Sequence, residues 1–128
     1  MKDTIQIRNY VKDVSARTQN YLDIQKVKIV FTIQDWNKYH KSHQMRKSNL
    51  LGRASLNQGK PVIFINIDIH KSIKSLNDTI VHEHYHIKDM NLNHGKNFDF
   101  EVQRITSKLF DYGYDHEGKI KKYEGVKY

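Results

Sequence analysis

The chain has 128 residues, 38% of them hydrophobic and 28% charged, which suits one compact domain spanning residues 1–128 and exceeds the apolar content of a disordered chain. It contains no cysteine, which excludes disulfides, thiolate zinc sites and a cysteine nucleophile; any transition metal must then be held by imidazole and carboxylate. The formal net charge is +8, and residues 1–13 carry scattered charges without a continuous apolar run, so neither a secretory signal nor a membrane-spanning helix is expected, and the location expected is cytoplasmic, without a membrane partner.

Residues 4–22 place Ile5, Tyr10, Val11, Val14, Thr18 and Leu22 at three- and four-residue steps, the stripe of an amphipathic helix. In residues 27–33, Val27, Ile29, Phe31 and Ile33 alternate with Lys28, Val30 and Thr32, a period of two that predicts a strand. The stretch that follows shows no clear periodicity. Between Trp36 and Ile67 there is no Asp or Glu, while Lys38, Lys41, Arg46, Lys47, Arg53 and Lys60 all fall there. Such a patch favours polyanions through counterion release, which makes Lys38, Lys41, Arg46, Lys47 and Arg53 candidate contacts to single- or double-stranded DNA; the alternative is a solvated basic surface. Trp36 and Tyr39 are suited to stacking on bases, although packing under a loop is their ordinary role. His40-x-x-His43 lies in this basic stretch and reads as solvated or phosphate-facing rather than metal-binding.

Residues 51–56 and 62–69 flank Asn57-Gln58-Gly59-Lys60-Pro61 and read as two strands joined by a turn. From Ser72 the period becomes helical through Ile73, Leu76, Ile80, Ile87 and Met90, with Ser75-x-x-Asp78 offering a capping box. A polar break over residues 91–95 ends that helix, and Phe98, Val102, Ile105 and Leu109 start another that stops near Gly113. Phe98 begins its apolar stripe and reads as core. The residues after 113 form a short basic tail. The fold class expected is α+β, with an N-terminal helix, a small three-stranded sheet and two further helices.

The chemistry lies in Val81-His82-Glu83-His84-Tyr85-His86-Ile87, which contains His82-Glu83-x-x-His86. Residues four apart on a helix differ by about 40° in projection and one turn in height, so two imidazoles can converge on one ion. Glu83 lies about 100° round from His82, where it can act as a general base beside the metal without occupying it. After the break comes His94-Gly95, where a glycine permits close backbone approach, making His94 a credible third ligand. His84 projects at the edge of the apolar face and reads as a partly buried structural histidine bonded to a backbone carbonyl. Tyr112, Tyr114 and His116 are candidates for stabilising an oxyanion, with no spacing to choose among them.

His82-Glu83-x-x-His86 followed by His94-Gly95-x-x-Phe98 resembles the HExxH…HGxxF signature of the SprT-like (Spartan/WSS-type) minimal zinc metallopeptidases, which include DNA–protein crosslink proteases. It is also similar to the YgjP-type metal-dependent hydrolases, whose NHSxxFW has its counterpart in Asn93-His94-Gly95-Lys96-Asn97-Phe98. The resemblance covers roughly residues 50–110. It implies a minimal zincin-like domain with one Zn2+ on His82, His86 and His94, Glu83 as the catalytic base, and a protein or peptide substrate associated with or crosslinked to DNA. The final strand, residues 62–67, is then expected to offer backbone groups to an extended substrate. Two alternatives are a basic nucleic-acid-binding protein with a structural zinc and no catalysis, and a zinc hydrolase of a non-peptide bond. A structural site has no need of Glu83 and usually takes four protein ligands.

Overall fold

Thr4 opens the first helix. Its hydroxyl accepts from the Ile7 backbone N–H at 3.2 Å, satisfying a donor that has no partner within the first turn, and helix α1 runs over Ile5–Leu22. Val11, Val14, Thr18 and Leu22 of the predicted stripe are buried, Tyr10 is partly buried, and Ile5 at the start of the helix is exposed. The computed structural model describes residues 1–41, 44–46, 49–89 and 96–110.

The strand expected over residues 27–33 is shorter. Strand β1 is Lys28–Val30, and helix α2 follows at once over Ile33–Tyr39. The reason is a second threonine cap, because the Thr32 hydroxyl accepts from the Asp35 backbone N–H at 3.1 Å. Thr32-x-x-Asp35 is therefore a helix start lying inside an apparent strand alternation.

The predicted hairpin is present with a tighter turn. Strand β2 is Gly52–Asn57 and strand β3 is Lys60–Ile65, joined by Gln58 and Gly59 with φ of 52° and 78°. Two consecutive residues at positive φ match the right-handed twist of the strands they connect. Pro61, expected in the turn, sits in β3 opposite Leu56.

β1 pairs parallel with β3 (Ile29 opposite Ile63) and β2 pairs antiparallel with it (Ala54 opposite Ile63), so the order is β1-β3-β2. β3 is thus the central strand, with Pro61 through Ile65 all buried. Ile63 and Ile65 join the main core with Val11, Val14 and Ile80, while Val62 and Phe64 on the other face pack with Val30, Trp36 and Met45. A central position contradicts the expectation that residues 62–67 would serve an extended substrate, because both hydrogen-bonding edges of β3 are already used. Among the described residues, the open edge on that side of the sheet belongs to β2.

A 3-10 turn, Ile67–Ile69, leads to helix α3 over Ile73–Lys88. Its cap is Ser72, whose hydroxyl accepts from Ser75 N–H at 3.1 Å; the box expected from Ser75 to Asp78 is replaced by an Asp78–Lys74 ion pair at 2.7 Å. Helix α4 covers Lys96–Phe110 and buries Phe98, Val102, Ile105 and Phe110 against the same core. The chain is α+β, with a small mixed three-stranded sheet and, among the described residues, four α-helices. No helix among the described residues is long and apolar enough to cross a membrane.

Candidate metal centre

α3 drives Leu76, Ile80, Val81 and His84 into the core, and this sets its rotation. With that face fixed, His82 and His86 emerge together one turn apart on a partly exposed face. Their Nε2 atoms lie 3.2 Å apart. Two nitrogens at about 2.0–2.1 Å from one tetrahedral ion are separated by about 3.3 Å, so this pair fits a common metal. His82, Glu83 and His86 offer ligand atoms within 4.8 Å of one another, the combination of imidazole and carboxylate that a cysteine-free chain needs.

Phe98 fixes the two rings. Its centroid is 4.8 Å from that of His82 and 4.5 Å from that of His86, with Tyr85 at 5.1 Å. As expected Phe98 is core, only 2% exposed, and in addition it is the surface against which both imidazoles rest. In this way α4 orients the donors on α3.

Glu83 is 6% exposed, and its Oε1 lies 3.8 Å from His82 Nε2. Burial pushes its carboxyl up to about 7, because the charged form loses hydration. The wall behind it is β2, and close approach is possible because residue 52 is glycine. A Cβ at Gly52 would stand 2.9 Å from the Phe64 carbonyl oxygen, 2.9 Å from Thr79 Cγ2 and 3.1 Å from Glu83 Cγ. Gly52 was legible as a strand residue, yet its relation to Glu83 depends on two elements distant in sequence.

A cleft of about 590 Å3 opens beside His82 and Glu83, with Leu50, Leu51, Gly52, Asp78 and Asp99 in its walls. The residues before β2 are held from behind: Asn66 N–H donates to the Leu51 carbonyl at 3.0 Å and Asn66 Nδ2 to that of Leu50 at 3.1 Å. His70 is buried and donates from Nε2 to the Leu51 carbonyl at 3.3 Å, while Nδ1 accepts from the Ser75 hydroxyl at 2.8 Å. Its burial lowers the imidazole's affinity for a second proton. His70 is thus a strut between the cleft wall and the start of α3.

His84 is structural, as expected, though fully rather than partly buried. Its Nδ1 donates to the Ile80 carbonyl at 2.6 Å, and burial pulls its pKa down to about 4.

The basic stretch is only partly a free surface. Lys38, Lys41 and Arg46 are exposed, with Lys38 3.4 Å from Asp35. The Arg53 guanidinium instead lies over the Trp36 ring at 5.2 Å. Trp36 is 1% exposed and stacked on His40 at 3.9 Å, so it takes the packing role and is closed to a base. His40 is not solvated: Nδ1 donates to the Trp36 carbonyl at 3.0 Å and Nε2 accepts from the Ser55 hydroxyl. His94, His43, Lys47, Tyr112, Tyr114 and His116 lie outside the described residues. No family model, curated protein or solved structure matches this chain.

Proposed function

We propose that this protein is a zinc-dependent hydrolase of the HExxH type, a minimal zincin-like metallopeptidase similar to the SprT-like enzymes, acting on proteins bound to or crosslinked with DNA. The observation that carries this reading is the pair of Nε2 atoms 3.2 Å apart with a buried carboxylate 3.8 Å from one of them. His82 and His86 hold the metal, and His94 is the third ligand implied by the family resemblance. When bound, zinc supplies Lewis acidity toward the substrate carbonyl.

Glu83 moves the proton. A carboxyl whose pKa is raised toward neutrality is a stronger base than an ordinary glutamate, suited to take a proton from water and return it to the leaving amine. The substrate lies extended along the open edge of β2, in the cleft bounded by Leu50, Leu51 and Gly52, and its backbone pairs with that strand. Exposed Lys41 and Arg46, in a stretch free of carboxylates, favour a nucleic-acid partner.

The test compares wild type with Glu83→Gln and His82→Ala/His86→Ala for zinc content and for cleavage of a histone, with and without single-stranded DNA. Glu83→Gln keeps about one zinc per chain and loses about two to four orders of magnitude in rate, whereas the double variant loses the metal. Cleavage by Glu83→Gln at the wild-type rate contradicts the general-base role. Bound zinc without cleavage by any form leaves a structural zinc site as the better description.

A further inference from the structure

At the opposite edge of the sheet from the His82–Glu83–His86 cluster, β1 pairs with β3 on one side and, among the described residues, with no strand on the other. α1 and α2 flank that open edge and leave a groove of about 570 Å3, with residues 26–31 as its floor. Beyond their ladder to β3, the backbone groups of Lys28, Ile29 and Val30 have no hydrogen-bond partner among the described residues. An open strand edge confined by a helix on each side is the geometry in which an extended chain adds itself as a further strand.

The charge of the groove selects the chain. Arg8, Lys12, Lys26, Lys28 and Lys38 line it against a single carboxylate, Asp35. Arg8 is paired with Asp3 at 2.8 Å and Lys38 with Asp35 at 3.4 Å. Lys12, Lys26 and Lys28 are exposed and make no ion pair among the described residues. Lysines along a strand edge repel a second copy carrying the same lysines, so the complementary occupant is acidic. Phe31, the aromatic ring in the floor, lies under the Arg8 guanidinium at 4.9 Å, which closes that face to a stacking base; Tyr39 in the α2 wall is exposed. It is the row of unpaired β1 backbone groups, which a peptide backbone complements and a base does not, that favours a peptide over a nucleic acid.

We propose that this groove binds a short, extended acidic segment of a partner protein as an added strand on β1. The site is separate from the metal cluster and does not depend on the hydrolase reading.

Fluorescence anisotropy of a labelled Glu-Val-Glu-Val-Glu-Val peptide with the full chain tests it. Binding is saturable, and Lys12→Glu/Lys26→Glu/Lys28→Glu weakens it about tenfold or more without changing zinc content. N-methylation of alternate peptide amides, which leaves the charge intact, abolishes it, and amide resonances of residues 27–31 shift on titration in wild type. Absent saturable binding, or equal binding of the N-methylated peptide, overturns the proposal. An oligo-dT that displaces the peptide and shows the same loss in the triple variant reassigns the groove to nucleic acid. A concentration-dependent dimer abolished by the triple variant reassigns it to a second copy.

Discussion

Ser15 on α1 and His84 on α3 share a buried hydrogen bond of 2.6 Å between Oγ and Nε2. Since His84 Nδ1 donates to Ile80, Nε2 must accept, and Ser15 in turn accepts from Gln19 Nε2 at 2.9 Å. This chain ties the N-terminal helix to the turn that carries both metal-ligand candidates. Ser15→Ala leaves a buried acceptor without its donor and is expected to cost about 1–3 kcal/mol in urea unfolding. A double-mutant cycle with His84→Phe should show the two changes to be non-additive; additive losses would mean that the bond contributes nothing of its own.

The same histidine sets one branch of the pH dependence. Its folded pKa of about 4 lies below the ordinary histidine value of 6.5, so between those values the unfolded chain binds more protons than the native one. Stability is full above about 6.5 and falls by about 3 kcal/mol as pH drops toward 4. Urea midpoints of His84→Phe should be flatter across this window than those of the wild type.

Glu83 acts in the opposite sense in the metal-free protein. Its folded pKa of about 7 is above the ordinary glutamate value of 4.5, so its stabilising share is present below 4.5 and is lost as pH rises through 7. Glu83→Gln is expected to stabilise the metal-free protein at pH 8 by about 1–3 kcal/mol, because an amide carries no charge into the buried site. An unchanged or lower midpoint at that pH would show that the buried carboxylate carries no such penalty.

Gly52→Ala places a methyl within 2.9 Å of the Phe64 carbonyl and 3.1 Å of Glu83 Cγ. Overpacking of this kind costs about 1–3 kcal/mol, and relief requires β2 to move away from α3. The expected result is a lowered melting temperature and reduced turnover with zinc content unchanged, since neither imidazole is touched. Wild-type stability and rate together would exclude the close approach of β2 to Glu83.

Affinity for DNA is expected to fall steeply with salt and to weaken in Lys41→Glu/Arg46→Glu, with zinc content preserved. Measurement by anisotropy at several salt concentrations gives the number of phosphate contacts. Salt-independent binding would remove the polyanion part of the proposed function.

Sequence alone carried what depends on local spacing. The i, i+4 separation of His82 and His86 puts them on one face wherever the helix forms, and the stripes Val11-Val14-Thr18-Leu22 and Phe98-Val102-Ile105 recover two helices because helical period requires no knowledge of the partner. Thr32-x-x-Asp35 was equally local, but the alternation of residues 27–33 hid it. Which strand lies in the middle was decided in three dimensions: Val62 to Ile65 alternate toward two different cores, and a run buried on both faces shows no polar alternation to reveal its place in the sheet. Glu83's burial, Gly52's contact with it and the Ser15–His84 bond likewise bring together residues 31 to 69 positions apart. Such pairings are set by how helices and sheet dock, and no local period encodes docking.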